Sequence, residues 1–497
     1  MIKYSFTPLI HLEGGAKSDI EEKPTKKINV IKSRCDATTF DNKCIKSSGL
    51  PLKDHQKILV NHIMTHRGLL AIHAVGSGKT LSAVTASQCF LKNYPNKKVI
   101  VITPTSLQDN FIKEMKQYDP NINLSKYSLY TTDGFARAKE KGEIKCDDVM
   151  LIIDEAHNLR SEIKNNKGKK AEYIIQCAKE ASKVLLLSAT PIINRRYDLA
   201  NLISMIDGTD KIDKNEYKDI LDNPKAFKDY FNCKVSIFEP DTKSTKEFYP
   251  NYKIEEVFIP MPPAYESKYI KIEQDIGLHD IFRNPKTFYN GARRASNKID
   301  DNRDAPKIKW ITNFFNKNKE GKCVIFSHWL DSGLNFIKQI LNELNITYLH
   351  IDGSLSKKDR KEAVKQYNNN SIRVLLISKA GGEGLDLKET RYMILTEPGW
   401  NPSISEQVIG RGIRYKSHYH LPKNQQKVTV YKLFLIKKKE VDNIKKYTDI
   451  QKMEKTKEKW SVDLYLRALA LHKKVMIDDM LEKLKEYSIE ESNCKCK

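Results

Sequence analysis

The sequence predicts an α/β protein with two tandem domains, each built on a parallel sheet flanked by helices. Eight short apolar runs are separated by segments of helical composition, four in each half of the chain. Such runs are typical of parallel strands that are buried on both faces, because helices cover both sides of the sheet. The runs are Leu69–Ile72, Val99–Ile102, Met150–Ile153 and Val184–Leu187 in the first half, and Cys323–Phe326, Thr347–Ile351, Val374–Ile377 and Tyr392–Leu395 in the second.

The 497 residues divide into five predicted parts. An N-terminal extension (1–48) precedes the first domain (49–207), and the second domain occupies 306–440. Between them, at 208–305, the alternation stops in a stretch rich in Lys, Asp, Asn, Tyr and Pro, which we predict to be a partly helical connecting insertion. At 441–497 apolar residues recur at helical spacing, which predicts a helical tail packed on the body.

The charge of the chain is strongly positive. Lysine and arginine number 86 against 63 aspartate and glutamate residues, which leaves a formal charge of +23. This excess favours a polyanionic partner, nucleic acid before a membrane surface. A lysine-rich surface that only keeps the protein in solution is the alternative. No apolar run approaches the roughly 18 residues of a spanning helix, so no membrane association is expected.

The nine cysteines are odd in number and scattered through predicted core positions such as Cys89, Cys177 and Cys323. This usage favours a reduced, intracellular compartment. Cys494 and Cys496 lie at the end of the chain, and no second pair with zinc-ligand spacing accompanies them. We therefore interpret them as part of a frayed end.

A glycine turn, Gly76-Ser77-Gly78-Lys79-Thr80, follows the first predicted strand and opens a predicted helix. The glycines let backbone N–H groups converge on phosphates without Cβ clashes, while Lys79 can reach the β- and γ-phosphates and Thr80 can ligate Mg²⁺. The turn predicts a site for a nucleoside triphosphate with Mg²⁺. His73 stands where the consensus loop opens with glycine. An ordinary glycine turn is the alternative that the loop alone leaves open.

Asp154 and Glu155 directly follow another predicted strand. A carboxylate at the carboxyl end of a strand, opposite a phosphate loop, is placed to hold Mg²⁺, and Asp154 is the predicted metal partner. Glu155 is predicted to polarise the attacking water. A lone Asp-Glu pair is more often a strand-to-helix cap, but these residues follow Lys79 by 75 positions (154 minus 79) in the same domain. Ser188 and Thr190 carry hydroxyls that we expect to bond this acidic segment.

In the second domain a glycine-rich turn follows a predicted strand and Lys379. Gly381, Gly382 and Gly384 permit close approach of the backbone to a nucleic-acid strand or to the nucleotide. Asp386 is predicted to bind the ribose hydroxyl. A tight strand-to-helix turn explains the same text equally well.

Gln407, Arg411 and Arg414 form the last candidate set. Arg411 and Arg414 are three positions apart, so on a helix they share one face. Two guanidinium groups there would stabilise the charge on the γ-phosphate of a nucleotide bound by the other domain. Solvated surface arginines are the alternative when such a pair occurs alone.

Taken in order, these motifs resemble those of the superfamily 2 helicases and translocases, whose core consists of two RecA-like domains. The resemblance implies an ATP site with catalytic residues on both domains. It also implies that Gln56 reads the adenine base. For nucleic acid it implies contacts from both domains, through Thr103, Pro104, Thr105 and Ser106 and through Lys379, Gly381 and Gly382.

Within the family, Ala380–Leu387 and Gln407–Arg414 resemble the Swi/Snf-type double-stranded DNA translocases, and Arg414–Pro422 resembles a viral branch with the poxvirus nucleoside triphosphatase I and early transcription factor small subunit. This resemblance implies an ATP-dependent motor on DNA rather than RNA, in viral transcription or genome handling. It further implies a viral RNA polymerase or transcription factor as partner, and a virion or viral factory as location. An ATP-switched factor that clamps nucleic acid without unwinding it, and an RNA helicase, are the open alternatives.

Overall fold

The computed structural model describes residues 43–46, 49–74, 76–159, 166–193, 195–239, 246–274, 285–300, 305–379, 384–450 and 459–494. Within these ranges the chain forms two six-stranded sheets, and every strand pair is parallel. Helices pack on both faces of each sheet. The predicted fold class, two tandem parallel-sheet α/β domains, is confirmed. Most of the predicted N-terminal extension lies outside the described residues.

The sheet of domain 1 has the phosphate-loop strand near one edge. Its strands are β1 (Gly68–His73), β2 (Lys98–Ile102), β3 (Tyr127–Tyr130), β4 (Val149–Asp154), β5 (Lys183–Ser188) and β6 (Val235–Phe238). They lie in the order β3-β2-β4-β5-β1-β6. All six residues of β1 are buried, as its apolar sequence requires. The carboxyl ends of β1, β2, β4 and β5 therefore meet at one edge of the sheet, where the loops that follow them come together.

Helices form two apolar layers around this sheet. The helices are α1 (Lys43–Lys46), α2 (Asp54–Thr65), α3 (Lys79–Asn93), α4 (Thr105–Tyr118), α5 (Thr132–Glu140), α6 (Asn166–Glu180), α7 (Asp198–Asp207), α8 (Lys214–Asp222) and α9 (Pro224–Phe231). One core contains side chains of α2, α3 and α4, including Leu59, Phe90 and Phe111. The other contains side chains of α5 to α9, including Phe135 and Phe231. The sheet that carries the phosphate loop is therefore covered by apolar side chains on both faces.

The stretch 208–305 contributes a strand to each sheet. It contains β6, which pairs with β1 in domain 1, and β7 (Asn251–Pro260), an edge strand of domain 2. Two further helices of this stretch are α10 (Pro263–Gln274) and α11 (Pro285–Ala295). Most side chains of β7 are exposed or half-buried, so the strand lacks the continuous apolar run that marks the central strands. The polar composition of an edge strand explains why the sequence suggests an insertion here.

Domain 2 repeats the architecture. Its remaining strands are β8 (Lys322–Ser327), β9 (Tyr348–Ile351), β10 (Val374–Ser378), β11 (Thr390–Leu395) and β12 (Lys427–Ile436), in the order β7-β12-β11-β8-β10-β9. Its helices are α12 (Pro306–Lys317), α13 (Asn335–Glu343), α14 (Lys357–Asn368) and α15 (Pro402–Gly412). Side chains of α12 and α13 fill one core and those of α14 and α15 fill the other.

The C-terminal helix α16 (Val462–Lys485) contacts both domains. Near its start, Asp463 lies 2.7 Å from Lys307 Nζ and accepts a hydrogen bond from the backbone of β12 in domain 2. Near its end, Met480 and Leu484 are buried in the core of domain 1. The helix thus packs against both sheets through opposite ends. None of the helices in the described ranges combines the length and the apolar composition of a membrane-spanning segment.

Among the described residues, six cysteines form three disulfides, Cys44–Cys89, Cys146–Cys177 and Cys233–Cys494. The expected reduced cysteines are therefore not what the structure contains, because pairing depends on positions that only the fold brings together. The interpretation of Cys494 as part of a frayed end is wrong, because its bond to Cys233 attaches the C-terminal segment beside β6. Cys323 is a buried free thiol in β8.

Candidate ATP site and nucleic-acid groove

The phosphate loop lies between β1 and α3 and needs both of its glycines. Gly76 and Gly78 have φ of +82°, a conformation that residues with a Cβ rarely adopt. A Cβ on Gly78 would also lie 2.5 Å from Gln56 Nε2. The loop therefore leaves its backbone open, as phosphate binding at a helix N-terminus requires.

Lys79 and Ser77 present polar atoms inside this loop. Lys79 Nζ donates to the carbonyl oxygens of His73 and Ala74 at 2.7 and 3.1 Å. Burial lowers the pKa of Lys79, while Glu155 and Asp154 oppose that shift. Ser77 Oγ is buried, and no residue that the structure describes bonds it. Thr80 stands in the first turn of α3. These groups fit the phosphates and Mg²⁺ that the loop predicts.

Asp154 is the last residue of β4, and two hydrogen-bond donors contact its side chain. Its carboxylate accepts hydrogen bonds from Thr103 Oγ1 at 3.3 Å and from the backbone N–H of Glu155 at 3.0 Å. Burial raises the pKa of Asp154 to about 6, the neighbouring Glu155 adds to the rise, and Lys79 opposes it. A buried carboxylate whose charge a single lysine only partly balances is stabilised further when it binds a metal cation. Asp154 therefore fits the predicted role of Mg²⁺ partner.

Glu155 is held differently. Its backbone φ is +52°, which is uncommon for a residue other than glycine. Burial raises its pKa, but His157, Lys79 and Arg411 together lower it below its usual range. His157 Nδ1 lies 3.2 Å from Glu155 Oε2 and 3.1 Å from Ser188 Oγ. The carboxylate of Glu155 is thus kept ionised, as a group that orients water must be.

The serine and threonine after β5 behave unequally. Ser188 Oγ contacts His157, as expected, and accepts a hydrogen bond from the backbone N–H of Thr190. Thr190 Oγ1 is buried, and no hydrogen bond links it to the acidic segment within the described part of the chain.

Gln56 connects the start of α2 to the phosphate loop. Its Nε2 donates to Gly78 O at 3.2 Å, and its Oε1 accepts from the backbone N–H of Lys53 at 2.8 Å. The side chain therefore lies directly against the glycine turn, which it contacts at Gly78.

Domain 2 supplies the opposite wall. Arg411 lies on α15, but Arg414 follows the end of that helix, so the expectation that the two share one helical face is wrong. The charges of both arginines lower the pKa of Lys79, and that of Arg411 also lowers the pKa of Glu155. Both arginines of domain 2 therefore lie close enough to the phosphate loop for their charges to act on it. Gln407 lies one turn earlier on α15 and is half-buried.

The packing of His73 shows how this chain accommodates a large residue at the start of the phosphate loop. The imidazole is fully buried and its Nε2 donates to Ser236 Oγ of β6 at 2.7 Å. Ser236 Oγ in turn donates to Glu490 Oε1 at 2.5 Å. The side chain thus packs toward the neighbouring strand, and the C-terminal segment completes its hydrogen-bond chain.

A groove of about 940 Å³ separates the two domains on another side. It is lined from domain 1 by Thr105, Ser106, Asp109, Asn110 and Lys113, and from domain 2 by Leu355, Lys357, Arg360, Lys361, Val364, Gly384, Leu385 and Asp386. Four basic residues and two acidic ones make the groove net positive. It is suited to a phosphate backbone that contacts both domains at once.

The predicted nucleic-acid residues do not all lie in the groove. Thr105 and Ser106 line the groove, whereas Thr103 is buried with its hydroxyl on Asp154 and Pro104 caps α4. Lys379 is exposed at the end of β10. Gly381 and Gly382 lie outside the described residues.

Asp386, predicted to bind ribose, lines the groove and lies 3.4 Å from Arg414 Nη1. Sequence reasoning missed the groove lysines and Arg360, although the run Lys357-Lys358-Asp359-Arg360-Lys361 is a visible basic signal. It also missed His157 as the partner of Glu155.

A phosphate loop on one parallel-sheet domain and facing arginines on the next define an ATPase with two RecA-like domains. Comparison with known families agrees. Residues 53–199 match the DEAD/DEAH box helicase family, and residues 306–416 match the helicase conserved C-terminal domain.

The chain is 31% identical over 419 residues to a protein of Acanthamoeba polyphaga mimivirus provisionally named an ATP-dependent RNA helicase, covering 79% of this chain and 91% of that one. It is 24% identical to the nucleoside triphosphatase I of Choristoneura biennis entomopoxvirus, over 78% of this chain and 74% of that one. It is 25% identical to the uncharacterized ATP-dependent helicase YqhH of Bacillus subtilis, over 70% of each. The chain belongs to the superfamily 2 helicases and is an ATPase of that family.

Proposed function

We propose that this ATPase moves along duplex DNA without separating its strands, in viral transcription or genome handling. Similarity to an entomopoxvirus nucleoside triphosphatase I supports the viral setting. A viral RNA polymerase or transcription factor is the proposed protein partner, and a virion or viral factory is the proposed location. The formal charge of +23 supports a nucleic-acid partner.

One contact carries the proposal that hydrolysis and nucleic-acid binding are coupled. Arg414 Nη1 lies 3.4 Å from Asp386 Oδ1 and donates to Leu385 O at 3.1 Å. Arg414 lies beside the ATP cleft, because the next residue, Tyr415, packs on Tyr249, whose hydroxyl lies next to Gly76 of the phosphate loop. Asp386 and Leu385 line the groove. A movement of Arg414 toward a nucleotide therefore also moves the groove wall of domain 2.

The proposed roles in hydrolysis follow from these positions. Lys79 binds the phosphates, and Glu155 orients the attacking water and accepts its proton. Thr80 and Asp154 would hold Mg²⁺, which supplies charge neutralisation at the phosphates when bound. Arg411 and Arg414 stabilise the transferred phosphoryl group when the cleft closes. Loss of that attraction after hydrolysis lets the domains separate, and the groove walls then shift along the backbone phosphates.

The experiment that tests this function measures ATPase rate with single-stranded DNA, duplex DNA and RNA at fixed salt. We expect duplex DNA to give the largest stimulation, independent of its sequence. Separate binding measurements over a salt series test the phosphate contacts, because each backbone phosphate neutralised on the duplex contributes about −0.9 to the slope of log affinity against log salt. A slope of about −0.9, which corresponds to a single phosphate contact, would mean that the positive charge only keeps the protein in solution.

An RNA helicase is the second candidate, because the mimivirus relative carries that name. Stimulation by RNA above that by duplex DNA would favour it. A factor that clamps nucleic acid in response to ATP is the third, and it would hydrolyse ATP with DNA present yet show no movement along it.

A further inference from the structure

An aromatic cluster lies where the segment before β7 meets the turn after α15. Tyr249 and Phe248 come from the segment, and Tyr415 and Tyr419 come from the turn. The ring centroids of Tyr249 and Tyr415 are 5.9 Å apart, and those of Phe248 and Tyr415 are 5.3 Å apart. The cluster lies between domain 2 and the phosphate loop of domain 1.

One end of the cluster lies over the phosphate loop. A Cβ placed on Gly76 would be 3.2 Å from the hydroxyl oxygen of Tyr249. Burial raises the pKa of Tyr249, and the charge of Arg414 opposes that rise. The hydroxyl therefore remains protonated at neutral pH. It is close enough to the loop backbone to donate to a phosphate oxygen that the loop holds.

The other end lies beside the Gln56 side of the site. Lys53 Nζ is 5.9 Å from the centroid of the Tyr415 ring, and the backbone N–H of Lys53 donates to Gln56 Oε1. Tyr415 is 45% exposed as a residue, so part of its ring remains open to a ligand. An open aromatic ring at the edge of a base pocket is suited to stacking.

The turn that carries Tyr415 is held in place. The backbone N–H of Lys416 donates to Phe248 O at 2.7 Å, and that of Ser417 donates to Arg414 O at 3.1 Å. His418 Nε2 lies 2.9 Å from Thr390 O of β11. Tyr415 is therefore positioned together with its neighbour Arg414, which limits the ordering cost of stacking.

We propose that Tyr415 stacks on the purine base of the nucleotide and that Tyr249 donates a hydrogen bond to its phosphates. The segment between the domains and domain 2 would then bind the same nucleotide as the phosphate loop. The two tyrosines would make separable contributions, one dependent on the base and one on the phosphates. This proposal concerns nucleotide binding alone, so it stands or falls independently of movement on DNA.

The test is equilibrium binding to the full chain, measured by calorimetry without nucleic acid. The three ligands are ADP, CDP, which has a pyrimidine in place of the purine, and inorganic tripolyphosphate, which has no base. We expect Tyr415→Ala to weaken ADP binding about tenfold, because a base–aromatic stack has that magnitude, and to leave tripolyphosphate binding unchanged. Tyr415→Phe should bind ADP like the unmodified protein. Tyr249→Phe should weaken ADP and tripolyphosphate alike, by about tenfold, because it removes a charge-assisted hydrogen bond.

Tyr419→Ala is the matched control, because Tyr419 packs on Phe248 at 5.5 Å and lies farther along the turn. It should leave the affinity for all three ligands unchanged. The proposal for Tyr415 is overturned if Tyr415→Ala leaves ADP binding unchanged or weakens tripolyphosphate to the same degree. The proposal for Tyr249 is overturned if Tyr249→Phe changes neither affinity, or only that for ADP.

Discussion

Lys361 Nζ lies 2.6 Å from Asp109 Oδ2, and this ion pair joins α14 of domain 2 to α4 of domain 1. Lys361 lowers the pKa of Asp109, which is therefore ionised at neutral pH. Both side chains line the groove between the domains. The pair occupies a lysine that a backbone phosphate would otherwise bind, so a nucleic acid in the groove competes with Asp109.

The first prediction concerns this competition. Asp109→Asn should strengthen binding of duplex DNA, because it removes a negative charge and leaves Lys361 available. Lys361→Ala should weaken binding and make the slope of log affinity against log salt shallower by about 0.9. Lys317→Ala, on α12 and outside the groove, is the control. Fluorescence anisotropy over a salt series measures all three, and identical slopes for Lys361→Ala and Lys317→Ala would contradict the assignment.

The second prediction separates binding from chemistry in the ATP site. Lys79→Ala should abolish hydrolysis by weakening nucleotide binding, whereas Glu155→Gln should retain binding and lose turnover. The loss of one positioned catalytic group costs a factor on the order of 10²–10⁴. Nucleotide affinity and steady-state rate of each variant provide the check. Near-normal turnover by Glu155→Gln would mean that another residue orients the water.

The third prediction concerns acid stability. Burial lowers the pKa of His62 and His73 to about 3, so both side chains stay neutral in the native state. In the unfolded chain the pKa of each histidine is about 6.5, and each takes up a proton below that pH. The free energy of unfolding should therefore fall as the pH falls from about 6.5 to 3, by about 1.4 kcal/mol per pH unit for each histidine.

Urea unfolding at pH 7 and pH 5.5 measures this dependence. His62→Gln should reduce it, because glutamine cannot be protonated and its amide can still donate to Cys233 O, which His62 Nε2 contacts at 2.9 Å. His472→Gln, at an exposed position of α16, should not alter it. An unchanged pH dependence in His62→Gln would contradict the assignment to this histidine.

The fourth prediction concerns the C-terminal segment. Glu490 accepts hydrogen bonds from Ser236 Oγ and from the backbone N–H of Ile237. Glu490→Ala should lower the free energy of unfolding by about 1–3 kcal/mol, because it leaves buried donors without their acceptor. The neighbouring exposed residue offers the control Glu491→Ala. Equal unfolding midpoints for the two variants would show that the segment does not support β6.

Sequence patterns predicted the central strands because these are buried on both faces, as in β1 and β5. They missed β3, β6 and β7, which are edge strands with exposed or half-buried positions, and β12, in which Thr429 and Lys432 interrupt the apolar residues. Local spacing likewise predicted the phosphate loop, because the residues that form it are consecutive in the sequence. The meeting of Arg414 with Asp386, or of Tyr249 with Gly76, depends on how distant segments fold together, and no local pattern encodes it.

The most direct test of the central claim is ATP-dependent displacement of a third strand from a DNA triplex. Stepping along a duplex needs only phosphate contacts, whereas unwinding must also overcome about 1.4 kcal/mol of stacking per base-pair step. We expect the protein to displace the third strand but to separate a blunt duplex poorly. Arg411→Ala should bind ATP and fail to displace. Efficient unwinding of the blunt duplex without triplex displacement, or no displacement despite DNA-stimulated hydrolysis, would contradict the proposed motor.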